Sequence, residues 1–91
     1  MTKADIIKQV SGNTGIDTQE VGVVIESFMG KVQESLCKGE NVYLRGFGSF
    51  IVKRRASKIA RNISKQTSIV VPAHNIPAFK PVKVFRESVK N

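Results

Sequence analysis

Residues 53–81 read KRRASKIARNISKQTSIVVPAHNIPAFKP, and the way this stretch is read decides the fold. It carries seven of the chain's fifteen basic residues (Lys53, Arg54, Arg55, Lys58, Arg61, Lys65 and Lys80) and no acidic one. Its apolar residues are mostly β-branched and thinly spread, so it has little with which to build a core of its own. A segment that repels itself and offers only positive charge reads as a binding arm, and its natural partner is a polyanion.

Apolar content falls after Arg55 and returns at Ile69, Val70 and Val71, which draws the stretch as a hairpin. One limb runs from Phe50 to Arg61, the tip lies near Asn62 to Gln66, and the return limb reaches Phe79. At about 3.3 Å per residue each limb spans roughly 40 Å, enough to follow about one 34 Å turn of a duplex. Pro72 and Pro77 fit edge positions, because neither can donate to a ladder. The cations at 53, 54, 55, 58, 61 and 65 fall on both faces of an alternating strand, which suits a groove flanked by two phosphate walls. An isolated two-stranded ribbon is marginal in water, so the outer arm is expected to be mobile when free and ordered by its ligand.

Before the arm, Val42, Tyr43 and Leu44 make a short strand. Arg45 to Gly48 make a tight connection in which either glycine can take a positive φ, and Ser49 to Arg55 read as the next strand. Two helices come earlier. Thr2 caps the first with Asp5 at the capping-box position, Ile6, Ile7 and Val10 share a face, and the run from Ser11 to Gly15 ends it. The second starts at Asp17 or Thr18 and carries an apolar stripe of Val21, Val24, Ile25, Phe28, Val32 and Leu36, with Gly39 placed as its C′ residue. Gly22 and Gly30 inside it cost about 1 kcal/mol each relative to alanine, which fits either close approach of another helix or tolerated surface positions. After the arm, Pro81 starts a last helix at N1, with Val82, Phe85 and Val89 inward and Lys83, Arg86 and Lys90 outward.

The totals agree with this division. Residues 1–40 hold four lysines against six acids, whereas residues 41–91 hold eleven basic residues against Glu87 alone, which together make the net charge of +8. The first half therefore reads as scaffold and the second as ligand-binding. With an arm set aside, the remaining core is marginal unless a metal, disulfides or a second subunit supports it. One cysteine (Cys37) and one histidine (His74) exclude internal disulfides and zinc sites, so self-association is the remedy left. The N-terminus lacks the apolar core of a signal peptide and no apolar run suits a membrane span, so a cytoplasmic location without membrane contact is expected.

Catalysis has little to stand on, because no nucleophile, base and orienting acid can be assembled from these residues. Cys37 reads as a small buried hydrophobe, and His74 as a solvated residue that could add a contact beside an anion. No phosphate-cradling glycine loop is present, and no cofactor, metal or small-molecule substrate is expected. The second helix does not suit a helix-turn-helix reader either, since Glu20, Glu26 and Glu34 accompany Lys31 and Lys38 on its polar side.

GFGSF at residues 46–50, the basic limb ending in Ala60-Arg61-Asn62, the run Pro77-Ala78-Phe79-Lys80-Pro81 and the two capped helices in front carry a resemblance over essentially the whole chain. They resemble the bacterial HU and integration-host-factor family of histone-like DNA-bending proteins. The resemblance implies an α+β fold: two N-terminal helices, a three-stranded antiparallel sheet extended into a long β-ribbon arm, and a short C-terminal helix, in an intertwined dimer. Residues 1–40 would form the helical dimerisation body, 41–81 the sheet and arm, and 82–91 the last helix of a single domain. It implies arms that embrace duplex DNA through the minor groove, bend and compact it with little sequence specificity, and wedge an apolar residue between base pairs. The partner subunit would be a second copy or a paralogue, and the location the nucleoid.

The family usually has proline directly after the Arg-Asn pair, where this chain has Ile63, and the glycine usual in the tip is absent. Isoleucine serves as a wedge in other minor-groove benders. Its burial, worth about 1.5 to 3 kcal/mol, nearly cancels an unstacking cost of a few kcal/mol per step, so affinity must come from phosphate contacts. The expected DNA-binding set is Lys53, Arg54, Arg55, Lys58, Arg61, Asn62, Ile63 and Lys65 on the arm, with Lys80, Lys83 and Arg86 holding flanking DNA on the body. Phe28, Phe47, Phe50 and Phe79 are assigned to core or subunit interface. The same charge would also serve an RNA-binding arm or a scaffolding subunit docked on an acidic protein.

Overall fold

The computed structural model describes residues 1–62 and 67–90, and for residues 60–62 and 67–69 it describes the backbone alone. The chain divides into two compact units, Met1–Glu34 and Ser35–Asn91.

The first unit holds helix α1 (Lys3–Thr14) and most of helix α2 (Thr18–Cys37). The expected capping box forms at Thr2: its hydroxyl accepts from the Asp5 N–H at 3.3 Å while the Asp5 carboxylate accepts from the Thr2 N–H at 2.9 Å. The helix does not end at Ser11. It continues through Gly12 and Asn13 until Gly15, at φ +77°, turns the chain, with the Gly15 N–H donating to the Ser11 carbonyl at 2.9 Å. Ser11 and Thr14 stay helical because their hydroxyls bond locally, to the Ile16 and Val10 carbonyls.

Helix α2 begins beside Asp17, whose carboxylate accepts from the Gln19 N–H at 3.3 Å. A methyl group added at Gly22 would stand 3.6 Å from Ile7 Cδ1, so this glycine faces α1, whereas Gly30 has nothing within 4 Å. Lys3 and Glu26 form an ion pair between the two helices. Val21 is the one apolar side chain buried among the described residues, at 4% exposure. Along the same stripe Val24 is 66% exposed and Phe28 43%, an apolar face that one chain leaves uncovered.

The second unit opens on the end of α2, which closes in a Schellman motif. Gly39 (φ +79°) donates to the Leu36 carbonyl and Glu40 to the Ser35 carbonyl, both at 3.0 Å. Cys37, expected to be buried, is exposed; as the final helical residue it lies one position past Leu36, the last member of the apolar stripe.

Strands β1 (Val42–Leu44), β2 (Gly48–Arg55) and β5 (His74–Pro81) make a three-stranded antiparallel sheet in the order β1-β2-β5, and β3 (Lys58–Asn62) pairs with β4 (Thr67–Val71). Together with helix α3 (Lys83–Val89) they complete the expected α+β architecture. Strand β1 is short because the Asn41 side chain replaces the next ladder bond, its Oδ1 accepting from the Val52 N–H at 2.9 Å. Between β1 and β2, the Phe47 N–H donates to the Leu44 carbonyl at 3.0 Å and Gly46 takes φ +81°, the positive value that a type II turn needs at its third residue.

Two expectations are corrected here. Pro81 does not begin the last helix: it is the final residue of β5, opposite Gly48, and the Val82 N–H donates to the Phe47 carbonyl at 3.0 Å. That bond holds Val82 extended as the N-cap, so the helix starts at Lys83. Val89, expected to face inward, is 67% exposed.

Alternation gives the sheet an apolar face of Val42, Leu44, Phe50, Val52, Pro77, Phe79 and Pro81. Phe79 is the hub of an aromatic cluster: ring centroids lie 5.1 Å from Phe47, 5.0 Å from Phe50 and 6.2 Å from Phe85, and Phe85 stacks on Phe47 at 5.4 Å. Gly48 is required beneath this hub, because a Cβ there would meet Phe79 Cζ and the Lys80 carbonyl oxygen, each at 2.6 Å.

Candidate nucleic-acid interface

The arm is built from two successive strand pairs rather than one continuous ribbon. β2 and β5 pair out to Arg55 opposite His74, and pairing resumes with Lys58 opposite Val71. Two residues are skipped on each strand, so the register is preserved and no bulge intervenes. By that register Pro72 stands opposite Ser57, and a residue without an N–H cannot complete the ladder there. Pro77 lies within β5, an edge strand of the three-stranded sheet, where its missing donor is tolerated.

Lys53, Arg54 and Arg55 occupy the outer end of β2, opposite Ile76, Asn75 and His74, and all three side chains are exposed. Exposed Lys58 opens β3. Alternation places Lys53 and Arg55 on one face of β2 and Arg54 on the other, so charge surrounds the ribbon. Arg61 and Asn62 pair at backbone level with Ser68 and Thr67. Ile63 and Lys65, the expected wedge and a further phosphate contact, lie outside the described residues. Between Lys53 and Asn62 the strand path covers about 30 Å.

The remaining three expected residues gather elsewhere. Lys80, Lys83 and Arg86 line one open concavity of about 520 Å³ with Tyr43, Ser49, Ile51, Pro81 and Val82. It lies on the sheet face opposite the aromatic cluster, at the point where Pro81 and Val82 carry the chain from β5 to α3. Tyr43, 73% exposed, was not among the expected site residues. Its signal was present: in Val42-Tyr43-Leu44 alternation puts the tyrosine on the face opposite two core residues, the face that carries Lys80. Its hydroxyl accepts from the Asn41 amide at 3.2 Å.

None of the described arm cations is ion-paired, whereas Lys3–Glu26 and Lys31–Glu34 form ion pairs on the helices. Lys53, Arg54, Arg55 and Lys58 are therefore open to an external anion. His74, exposed as expected, has its Nδ1 3.0 Å from the Pro72 carbonyl oxygen, which fixes the ring at the break in the ribbon. Among the described residues no group of three histidine, cysteine or acidic side chains is placed to hold a metal ion, and no helix is long and apolar enough to cross a membrane.

Comparison with known proteins agrees with this geometry. Residues 1–90 match the family model described as bacterial DNA-binding protein. The DNA-binding protein HU of Thermus thermophilus is 37% identical over 90 residues, covering 99% of this chain and 93% of the relative. That of Staphylococcus aureus is 38% identical, covering 99% and 100%. Among solved structures, a cocrystal of Anabaena HU with DNA superposes with a TM-score of 0.93 at 29% identity, covering 99% of this chain and 98% of the other. Sequence and fold together thus place the chain in the bacterial DNA-binding protein family, to which it belongs over essentially its full length.

Proposed function

We propose that this chain is an architectural DNA-binding protein that acts as a homodimer, gripping duplex DNA with a pair of arms in the minor groove and bending it with little sequence preference. The observation that carries this reading is the exposed, acid-free row of Lys53, Arg54, Arg55 and Lys58 on a ribbon whose register persists to Asn62 opposite Thr67. The minor groove presents a degenerate donor and acceptor pattern, so an arm seated there grips by charge and shape. Ile63, directly after the last paired residue of β3, is assigned to wedge between base pairs, with Arg61, Asn62 and Lys65 around it. The concavity holding Lys80, Lys83 and Arg86 is assigned to flanking DNA on the body. The role is one of binding, not catalysis.

The half-open face of α2 supports the dimer. With Val21 the one apolar side chain buried among the described residues, and Val24 and Phe28 on the same stripe both exposed, a single chain lacks the core that a stable domain needs, and a second copy covering residues 1–40 supplies it. Residues 41–81 then form sheet and arm, and residues 82–91 end the domain in α3. A protein of this kind acts on the bacterial nucleoid. The test is a titration of random-sequence duplex at several salt concentrations. Affinity is expected to fall linearly on logarithmic axes with a slope of about 0.9 per phosphate contacted, and a flat response overturns the reading.

A further inference from the structure

Ile59 and Val70 are directly opposed in the β3–β4 ladder, and 73% and 68% of their surfaces are exposed. Single exposed apolar residues are ordinary on any protein surface. An opposed pair is different, because cross-strand partners lie on the same face and make one continuous patch. Ile59 stands between Lys58 and Arg61 in sequence, and the whole run from residue 41 to 86 carries no acid. The ribbon that carries the patch is cationic, with Arg55 and Lys58 exposed nearby on β2 and β3, and an apolar strip on a cationic ribbon fits a partner whose anionic groups flank a less polar strip.

The minor groove of a duplex has that form, with phosphates along its rims and deoxyribose carbons in its walls. We propose that the Ile59–Val70 pair is an apolar contact for those sugar walls, supplying a part of DNA affinity that salt does not screen. The proposal rests on the DNA-binding reading above and adds residues that the charge pattern of the arm does not reveal. The surrounding cations bring the ribbon to the groove and hold its phosphates, and the apolar pair displaces water from the sugars once the ribbon is seated. The division is one of distance dependence: charge acts over about a Debye length, near 10 Å at 0.1 M salt, while apolar burial acts only in contact.

The experiment is anisotropy titration of the full chain with a random-sequence duplex several turns long, at four or more salt concentrations. It compares the unmodified protein with Ile59→Thr, Val70→Thr and the double variant. Threonine keeps the β-branched backbone preference while removing apolar surface. The double variant is expected to bind about tenfold more weakly at every salt concentration with an unchanged salt slope, and each single variant to lose part of that. Calorimetry should give a less negative heat-capacity change on binding. Affinity equal to the unmodified protein overturns the proposal. So does a loss accompanied by a shallower slope, which would mean that the pair only stiffens the ribbon and that its removal displaces the cations. The single variants keep the test available if the double one folds poorly. A flat salt response of the unmodified chain would instead sink the DNA-binding reading itself, so the two failures are distinguishable.

Discussion

Replacing Gly48 by alanine is expected to loosen the base of the arm. A Cβ at this position would stand 2.6 Å from the Lys80 carbonyl oxygen and 2.6 and 2.7 Å from Phe79 Cζ and Cε1. Relief needs a shift approaching 1 Å, and the two obstacles cannot both give way cheaply. The Lys80 carbonyl belongs to the β5 backbone, where Lys80 pairs with Ser49. The Phe79 ring is held by Phe47, Phe50 and Phe85 at centroid distances between 5.0 and 6.2 Å. Overpacking of this kind costs about 1 to 3 kcal/mol, and disturbing one or two aromatic contacts adds about 0.5 to 1.5 kcal/mol each. The expected loss is about 1.5 to 6 kcal/mol, a large part of a typical total of about 5 to 15 kcal/mol.

Urea denaturation read by circular dichroism measures this loss, with two other glycine substitutions as controls. Gly12→Ala, in the interior of α1 with nothing within 4 Å, should stabilise by about 0.5 to 1 kcal/mol. Gly46→Ala, at φ +81° with nothing within 4 Å, should destabilise by about 1 kcal/mol from backbone strain alone. A Gly48→Ala protein no less stable than Gly46→Ala would refute the steric account of the arm's base.

Three further outcomes are expected. The Thr2 N–H and hydroxyl hold the Asp5 carboxyl below its ordinary value of 3.8; the charged form is thus favoured by folding, and its contribution is present above pH 3.8 and lost as pH falls through the depressed value. Melting curves of the unmodified chain and Asp5→Asn should therefore differ at neutral pH and converge below pH 3.8, and a constant difference would exclude the carboxylate as the cause. Ile63→Ala should reduce duplex bending, measured by energy transfer between end labels, more than it changes the salt slope, and an unchanged bend would remove Ile63 from the mechanism. If a second copy covers the α2 face, the melting temperature should rise with protein concentration, whereas a concentration-independent value would contradict the dimer.

Local chemistry made much of this chain legible. The Thr2 and Asp5 capping box, the Asp17 start and the Gly39 end of α2 were readable because each depends on residues within one helical turn. Where local signals competed, the reading failed. Ser11 to Gly15 carry turn-forming residues, yet only Gly15 ends α1, because the Ser11 and Thr14 hydroxyls bond to carbonyls already at hand. Pro81 is well suited to N1 of a helix, but its register opposite Gly48 and the Val82 to Phe47 bond keep it in the sheet.

The sequence by itself determined the division between scaffold and arm, since net charge and the spacing of apolar residues are properties of order along the chain. It placed the cations Lys53, Arg54, Arg55 and Lys58 on the arm for the same reason, and it carried the α+β class through the motifs that resemble the family. Only the tertiary structure decided which distant residues share a face. It brought Tyr43 beside Lys80, Lys83 and Arg86, set Ile59 against Val70, and made Gly48 the close-approach glycine while Gly46 took the positive φ. Apart from the Gly46 turn, each of these depends on strand register, which is fixed by pairing between strands and is not encoded in the pattern of one strand alone.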